Sequence, residues 1–412
     1  MPEFLILLPP DEARSLLFSN ILFAHPVSQI IATDLALGRV TSENITAPHP
    51  LPAFPRSTVD GYAVRARDTF GASDNLPGYL TLVGEVPMGA APTLTLLPAQ
   101  CALIHTGGML PAGSDAIIML EYTQLARPGE IEIQRAVADG ENVIRIGEDV
   151  AENQVVIKEG VRLRPAEIGG LMALGITELR VAEKPRVAIL SSGDEVIPVH
   201  QNPQPGQVRD INSHTLAALI NQAGGQALHY GIIPDDFDTL RSRAAQALAE
   251  CDVVIITAGS SASTRDMTAD VIASLGTPGV LVHGINTRPG KPTILGVSAG
   301  KAVIGLPGNP VSALVNGYLL VVPLIESLLG LGNNIPKPAV RACLTVNLPS
   351  QAGREDWQPV RLIVTAAGWL AEPVFGKSNL IFSLAAAHGL IKIHQDANGI
   401  AAGEMVDVFL MV

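Results

Sequence analysis

The sequence predicts a multidomain α/β protein. Its parts are a doubly wound α/β domain, a helical N-terminal domain interrupted by a β-rich insertion, and a small C-terminal β domain. Three observations predict it. Over 184–333, the bare apolar runs VAILSS and DVVIIT suit strands buried on both faces of a parallel sheet. They alternate with DINSHTLAALINQAGG and DDFDTLRSRAAQALAE, which have helical periodicity. Over 44–146, short β-type runs such as YLTLVGEV and CALIHTGGML are divided by Pro and Gly turns. From 334 to 412, ACLTVNL, VRLIVTAAG, WLAEPVFG, GLIKIHQ and MVDVFLMV are punctuated by glycine, the pattern of a small barrel or sandwich.

Taken in order, residues 1–43 read as helices. Asp11 caps the first, Pro26 breaks the pattern, and Ser28 opens a second that stops at Gly38. VRLRPAEIGGLMALGI returns to helical spacing within 147–183, so 44–146 reads as an insertion into a helical domain formed by 1–43 and 147–183. MPEFLILLPP has neither the basic region nor the length of a signal peptide and reads as a strand or packing segment. The apolar run at 311–332 has the length to cross a bilayer. Asn316, Pro323 and Glu326 interrupt it, and a Pro at its start and a Gly at its end bound it as a buried globular helix. No membrane association is expected.

A chain of 412 residues should hold about two to four domains. Its formal charge of -12 argues against nucleic acid, so any anionic ligand must meet a local basic cluster. Cys101, Cys251 and Cys343 are far apart and lack metal or redox spacing, which fits a reducing cytoplasm. His105, His214 and His283 read as hydrogen-bonded structural residues. The chain has no Walker sequence and no GxGxxG.

Polar chemistry concentrates in a few loops. Asp60 lies in STVDGY, after prolines at 48, 50, 52 and 55 that stiffen its approach. Asp149 lies in RIGEDV, and Asp194 and Glu195 in SSGDEV. With Asp235, Asp236 and Asp266 they supply the hard oxygen ligands that Mg²⁺ held with a phosphate requires. The basic counterpart is TRPGKPT, where Arg288 and Lys291 flank a Pro-Gly turn, followed by GLPGNPVSA. There Ser312 falls near a helix start whose N–H groups favour an anion. Together these are expected to make an oxyanion pocket, the alternative on spacing alone being two prolyl turns around the strand AVIGLP.

The ordered succession STVDGYAV, IHTGGMLPAGSDAII, IRIGEDV, VAILSSGDEV, DINSHTL, IIPDD, RPGKP, GLPGNPVSA and GREDWQPVRL resembles the molybdopterin molybdenumtransferases, MoeA in bacteria and the matching domain of gephyrin. The resemblance covers nearly the whole chain. It implies a MogA-like α/β domain, a C-terminal β-barrel, and an elongated homodimer whose active site lies between subunits. The implied reaction inserts molybdate into adenylylated molybdopterin with Mg²⁺, releasing AMP and the molybdenum cofactor. A molybdopterin adenylyltransferase and molybdenum-enzyme apoproteins are the implied partners. Carried over by motif, Asp60, Thr106, Asp149 and Glu195 are catalytic, with Asp60, Glu195 and Asp266 on Mg²⁺. Asp210, Asn212, Asp235 or Asp236, Gly259, Ser261 and Asp266 face the pterin or nucleotide. Arg288, Lys291, Ser312, Arg354 and Ser378 hold molybdate.

The chain also departs from that pattern. The glycine-rich loop is replaced by Ala258-Gly259-Ser260-Ser261-Ala262-Ser263, a frequent Lys becomes Ala269, and the Lys usual before PGKP is Arg288. Arg288 keeps the charge and adds a planar fork suited to an oxyanion. The altered loop motivates two alternatives: a noncatalytic molybdopterin carrier or scaffold, and a tungstate-preferring paralogue.

Overall fold

The computed structural model describes residues 7–22, 26–258, 262–332 and 336–411, without the side chains of 262–266. Two compact units divide it, one of Ile31–Leu37 and Glu43–Leu179, the other of Met1–Ile30, Gly38–Ser42 and Arg180–Val412.

The first helix, α1 (Pro10–Asn20), starts on Pro10, with Pro9 at the cap position. Proline suits the first helical position because its missing N–H would have no partner there. Asp11 therefore does not cap α1 as expected. It lies inside the first turn and pairs with Arg14 at 2.7 Å. The second helix expected from Ser28 to Gly38 does not form. Ser28–Ala32 is a strand and Thr33–Leu35 a single 3-10 turn. Ile30 and Ile31 are β-branched and favour extended backbone. Thr33 then donates its N–H and its hydroxyl to the carbonyls of Thr177 and Ile176, both at 2.8 Å, a tertiary pairing that overrides helical periodicity.

The unit holding residues 43–179 is built on a six-stranded sheet. Its strands are β1 (Gly61–Val64), β2 (Gly78–Glu85), β3 (Gln100–Ile104), β4 (Ala116–Met119), β5 (Thr123–Arg127) and β6 (Glu130–Ile133). Their order is β4-β1-β3-β2-β6-β5. Side chains alternate between two apolar layers, Val64, Cys101 and Ile118 in one and Ala63, Ala102 and Ile117 in the other. Gly61 must be glycine, because a Cβ there would lie 2.1 Å from the Ile118 carbonyl oxygen. Helix α2 (Pro165–Ala173) forms within the run that has helical spacing and begins on Pro165, with Glu167 accepting the Arg164 N–H at 2.9 Å.

The α/β domain follows the predicted alternation. Its elements are β7 (Arg186–Ser192), α3 (Asn212–Ala223), β8 (Gln226–Ile233), α4 (Phe237–Glu250), β9 (Val253–Ala258), α5 (Ala262–Ser274), β10 (Pro278–His283), β11 (Ile294–Ser298) and β12 (Lys301–Pro307). The sheet order is β8-β7-β9-β12-β11-β10. Its first four strands are parallel, and an antiparallel edge is added by β11 and β10. The apolar run after β12 is one helical rod, α6 (Pro310–Asn316), a π-helical turn at Gly317–Val321, and α7 (Val322–Leu328). Val315, Leu320 and Leu324 are fully buried in the core with Leu216 and Ile220 of α3. The rod is long and apolar enough to cross a membrane, but most of it is buried within the protein.

The C-terminal strands are β13 (Val340–Leu344), β14 (Glu355–Thr365), β15 (Gly368–Pro373), β16 (Gly389–Ile393) and β17 (Met405–Leu410). They pair in the order β14-β15-β13-β17-β16, and β16 returns to β14. That closure decides barrel over sandwich. A short strand of the α/β domain, Thr287–Arg288, lies parallel to the start of β14, setting Thr287 beside Glu355 and Arg288 beside Asp356.

Candidate functional site

Where the α/β domain meets the barrel, a cleft of about 990 Å³ is lined by Arg288, Lys291, Ser312, Arg354 and Ser378, all five residues expected to hold an oxyanion. Their positions have separate local causes. Arg288 and Lys291 flank a turn in which Gly290 has φ +103°, a left-handed conformation that favours glycine. A Cβ at Gly290 would also lie 2.1 Å from Asn316 Nδ2. Arg354 is brought in by the loop entering β14, and Ser378 by the segment between β15 and the short helix α8 (Phe382–Ala385). The Val311 N–H in the first turn of α6 is already taken by the Ser378 carbonyl at 3.0 Å. The cleft's anion affinity therefore rests mainly on side-chain cations.

Asp356 completes this cleft. Its side chain is 3% exposed; its Oδ2 forms an ion pair with Arg288 Nη2 at 2.7 Å and accepts from Ser350 Oγ at 2.6 Å. Its Oδ1 lies 3.3 Å from Arg354 Nε. Next to it, Glu355 accepts from Trp357 Nε1 at 2.7 Å and pairs with Lys392 at 2.7 Å, bracing the start of β14.

A second cleft, of about 340 Å³, opens at the C-terminal ends of the parallel strands β7 and β9, where doubly wound sheets bind ligands. Glu195, Asp210 and Asn212 line it, and Asn309 lines both clefts. Asp210 accepts from Ser191 Oγ at 2.7 Å and from the Ser213 N–H at 3.1 Å, so its carboxylate is held rigid. Asn212 Nδ2 donates to the Gly308 carbonyl at 2.8 Å, while its buried Oδ1 has no partner among the described residues. A buried acceptor left this way suits a ligand donor. Asp235 accepts from Ser192 Oγ at 2.6 Å, and its N–H donates to Asp194 at 3.2 Å. Asp236 instead caps α4 by accepting from the Thr239 N–H at 2.9 Å. Gly259 and Ser261 lie outside the described residues, as does the side chain of Asp266 on α5. Ala269 is buried in the apolar core that contains Ile256 and Ile272.

In the other unit, Asp60 and Thr106 are brought together. Asp60 Oδ1 accepts the Thr106 N–H at 2.7 Å and the Thr106 hydroxyl at 3.1 Å. These two hydrogen bonds hold the Asp60 carboxyl below its ordinary pKa, with a smaller contribution from His105. His105 Nδ1 lies 3.7 Å from Asp60, and its Nε2 contacts Glu85 at 3.0 Å. The histidine read from sequence as merely structural thus borders the Asp60 loop. Asp149 is exposed on a separate loop whose N–H pairs with the Leu51 carbonyl at 3.1 Å.

Sequence reasoning missed Ser350, Asp356 and Asn316 as supports of the oxyanion cleft. Asp356 stood in the quoted GREDW motif, and Asn316 was visible as a polar residue inside an apolar run. Neither signal says which neighbour the side chain meets.

A doubly wound α/β domain joined to a closed β-barrel, with a cationic cleft at the junction, defines a multidomain α/β protein built to receive an anionic ligand. The chain belongs to the MoeA family. Family models described as the MoeA N-terminal region (domain I and II), a probable molybdopterin binding domain and the MoeA C-terminal region (domain IV) match residues 8–175, 188–327 and 341–411. The chain is 33% identical over 402 residues to a molybdopterin molybdenumtransferase of Haemophilus influenzae, covering 97% of each protein. It is 34% identical to a putative molybdopterin biosynthesis protein of Methanocaldococcus jannaschii, over 91% of this chain and 90% of that one. Its fold matches the crystal structure of a molybdopterin biosynthesis MoeA protein from Pyrococcus horikoshii OT3 with a TM-score of 0.86 and 32% identity, over 98% of this chain and 100% of that one.

Proposed function

We propose that the protein is a molybdopterin molybdenumtransferase, inserting molybdate into adenylylated molybdopterin with release of AMP and molybdenum cofactor. The observation that carries this reading is the pair of clefts sharing Asn309. One gathers three cations suited to a tetrahedral oxyanion, and the other offers rigid polar groups at strand ends. Relatives of nearly the same length bear that enzyme's name, which favours the enzyme over a carrier or scaffold.

In this reading Arg288, Lys291 and Arg354 bind molybdate, with Ser312 and Ser378 as hydroxyl partners. Asp210, Asn212, Asp235 and the 259–261 loop orient the pterin and nucleotide. Asp60, Thr106, Asp149 and Glu195 act at the phosphoanhydride. Among the described residues no three carboxylates or imidazoles cluster as a closed metal cage. Mg²⁺ needs no such cage, since it takes one or two carboxylates and fills the rest of its shell with water and phosphate. One or two of the candidate carboxylates Asp60, Glu195 and Asp266 would hold Mg²⁺, which would neutralise charge developing on the phosphate oxygens. Tungstate has the same charge and shape class and suits the same cations. The protein is further proposed to be a cytoplasmic homodimer that works after a molybdopterin adenylyltransferase and before molybdenum-enzyme apoproteins.

The test incubates purified protein with adenylylated molybdopterin, Mg²⁺ and molybdate and follows AMP. Release that needs all three and rises above the enzyme-free rate supports the reading. A background rate, with the pterin still bound, would leave the carrier. Parallel reactions with tungstate give the metal preference, and light scattering gives the subunit number.

A further inference from the structure

The charged residues lining the larger cleft are Arg288, Lys291, Arg354 and Asp356, three cations and one buried carboxylate. A cleft selected only for anion affinity would brace its guanidinium groups with neutral acceptors. Here a full negative charge is buried at 3% side-chain exposure, where desolvation makes it costly. Asp356 is held in place by Ser350 Oγ at 2.6 Å, grips Arg288 at 2.7 Å and faces Arg354 Nε at 3.3 Å. The β pairing of Arg288 with Asp356 fixes the contact through the backbone as well. Lys291 has no acidic partner among the described residues.

Resting on the function proposed above, we infer that Asp356 is a specificity-determining positioning residue of the oxyanion cleft. It aligns both guanidinium groups and cancels one of three positive charges. Two net positive charges remain, which match a tetrahedral dianion. An entering oxyanion competes with Asp356 for the Arg288 donors, so binding stays weak enough for the oxyanion to leave and turnover to continue. The carboxylate and the oxyanion repel one another, and in a partly desolvated cleft that repulsion is large.

The consequence has an unusual sign. A carboxylate that merely held the fold together would weaken oxyanion binding when neutralised, whereas a charge-cancelling one strengthens it. Equilibrium dialysis of the full chain against molybdate, with sulfate and phosphate as competitors, tests this on wild type, Asp356→Asn and Arg288→Gln. Affinity should rise in the order Arg288→Gln, wild type, Asp356→Asn, by about tenfold at each step. Asp356→Asn should also lose discrimination against phosphate, and its AMP release should show a lower molybdate KM together with a lower kcat. Folded Asp356→Asn that binds molybdate as well as wild type, or less well, overturns the inference. If Asp356→Asn fails to fold, Asp356→Ser decides, since it also removes the charge and is smaller. Tighter molybdate binding than wild type supports the inference, and equal or weaker binding overturns it. Wild-type protein that binds no oxyanion would remove the functional reading itself, a result distinct from either outcome for the variants.

Discussion

Asn316, fully buried at the end of α6, donates from Nδ2 to the Gly290 carbonyl at 3.0 Å and to the Thr293 hydroxyl at 2.5 Å. The turn that carries Arg288 and Lys291 is thereby fastened to the apolar rod of the α/β domain. A buried hydrogen-bonding side chain in an otherwise apolar helix specifies position at some cost in burial energy.

Asn316→Ala removes both contacts and leaves a small void. The expected loss is about 2–3 kcal/mol of stability, read as a lower midpoint in urea unfolding. The molybdate KM in the AMP-release assay should rise more than kcat falls, because the loosened turn misplaces binding cations and leaves the groups proposed to act at the phosphoanhydride untouched.

Gly290→Ala should be worse for the cleft than for the fold. The added Cβ enters Asn316 Nδ2 at 2.1 Å from a backbone with φ +103°, so the turn must reorganise. A cost of about 1–3 kcal/mol is expected by thermal unfolding, with oxyanion binding in dialysis reduced at least tenfold.

Thr106→Val removes the hydroxyl that donates to Asp60 and keeps the backbone N–H. A carboxyl whose folded pKa is depressed favours the folded state above its unfolded pKa, and this contribution is lost as pH falls through the folded value. The variant should raise the Asp60 pKa part of the way back to its ordinary value, since the larger backbone contribution persists. Carbon-13 carboxyl titration by NMR reads the shift, and the acid limb of the activity profile should move to higher pH with it.

Burial pushes the Cys101 thiol up to about 12, and Cys251 is also buried, whereas Cys343 is partly exposed. A disulfide reagent at pH 8 should label Cys343 first. Cys101 and Cys251 should react only in denaturant, with peptide mapping to assign each site.

The α/β domain was the most legible part of the chain because two local signals agree there. β7 and β9 are continuous apolar runs buried on both faces, while α3 and α4 carry helical spacing and adequate ends. At Ser28 the local signals conflict, and the hydrogen bonds from Thr33 to the 176–177 segment decide for extended chain. No window of sequence contains that contact. The barrel illustrates the same limit, since alternation marks its strands but only the return of β16 onto β14 closes them.

The cations of the cleft could be read from TRPGKPT and GRED because residue type alone carries charge, and Arg288 remains charged wherever the chain places it. Their supports could not be read. Asp356 becomes the partner of Arg288 because a two-residue strand pairs with residues almost seventy positions later, and Asn316 meets Gly290 because the core helix packs beneath the turn. By itself, the sequence determined the inventory of charge, the helical and extended periods, and the motif order that marks the family. Which carboxylate offsets which cation, and how tightly the turn is held, was decided by tertiary structure. Those energies depend on distance and burial between groups far apart along the chain.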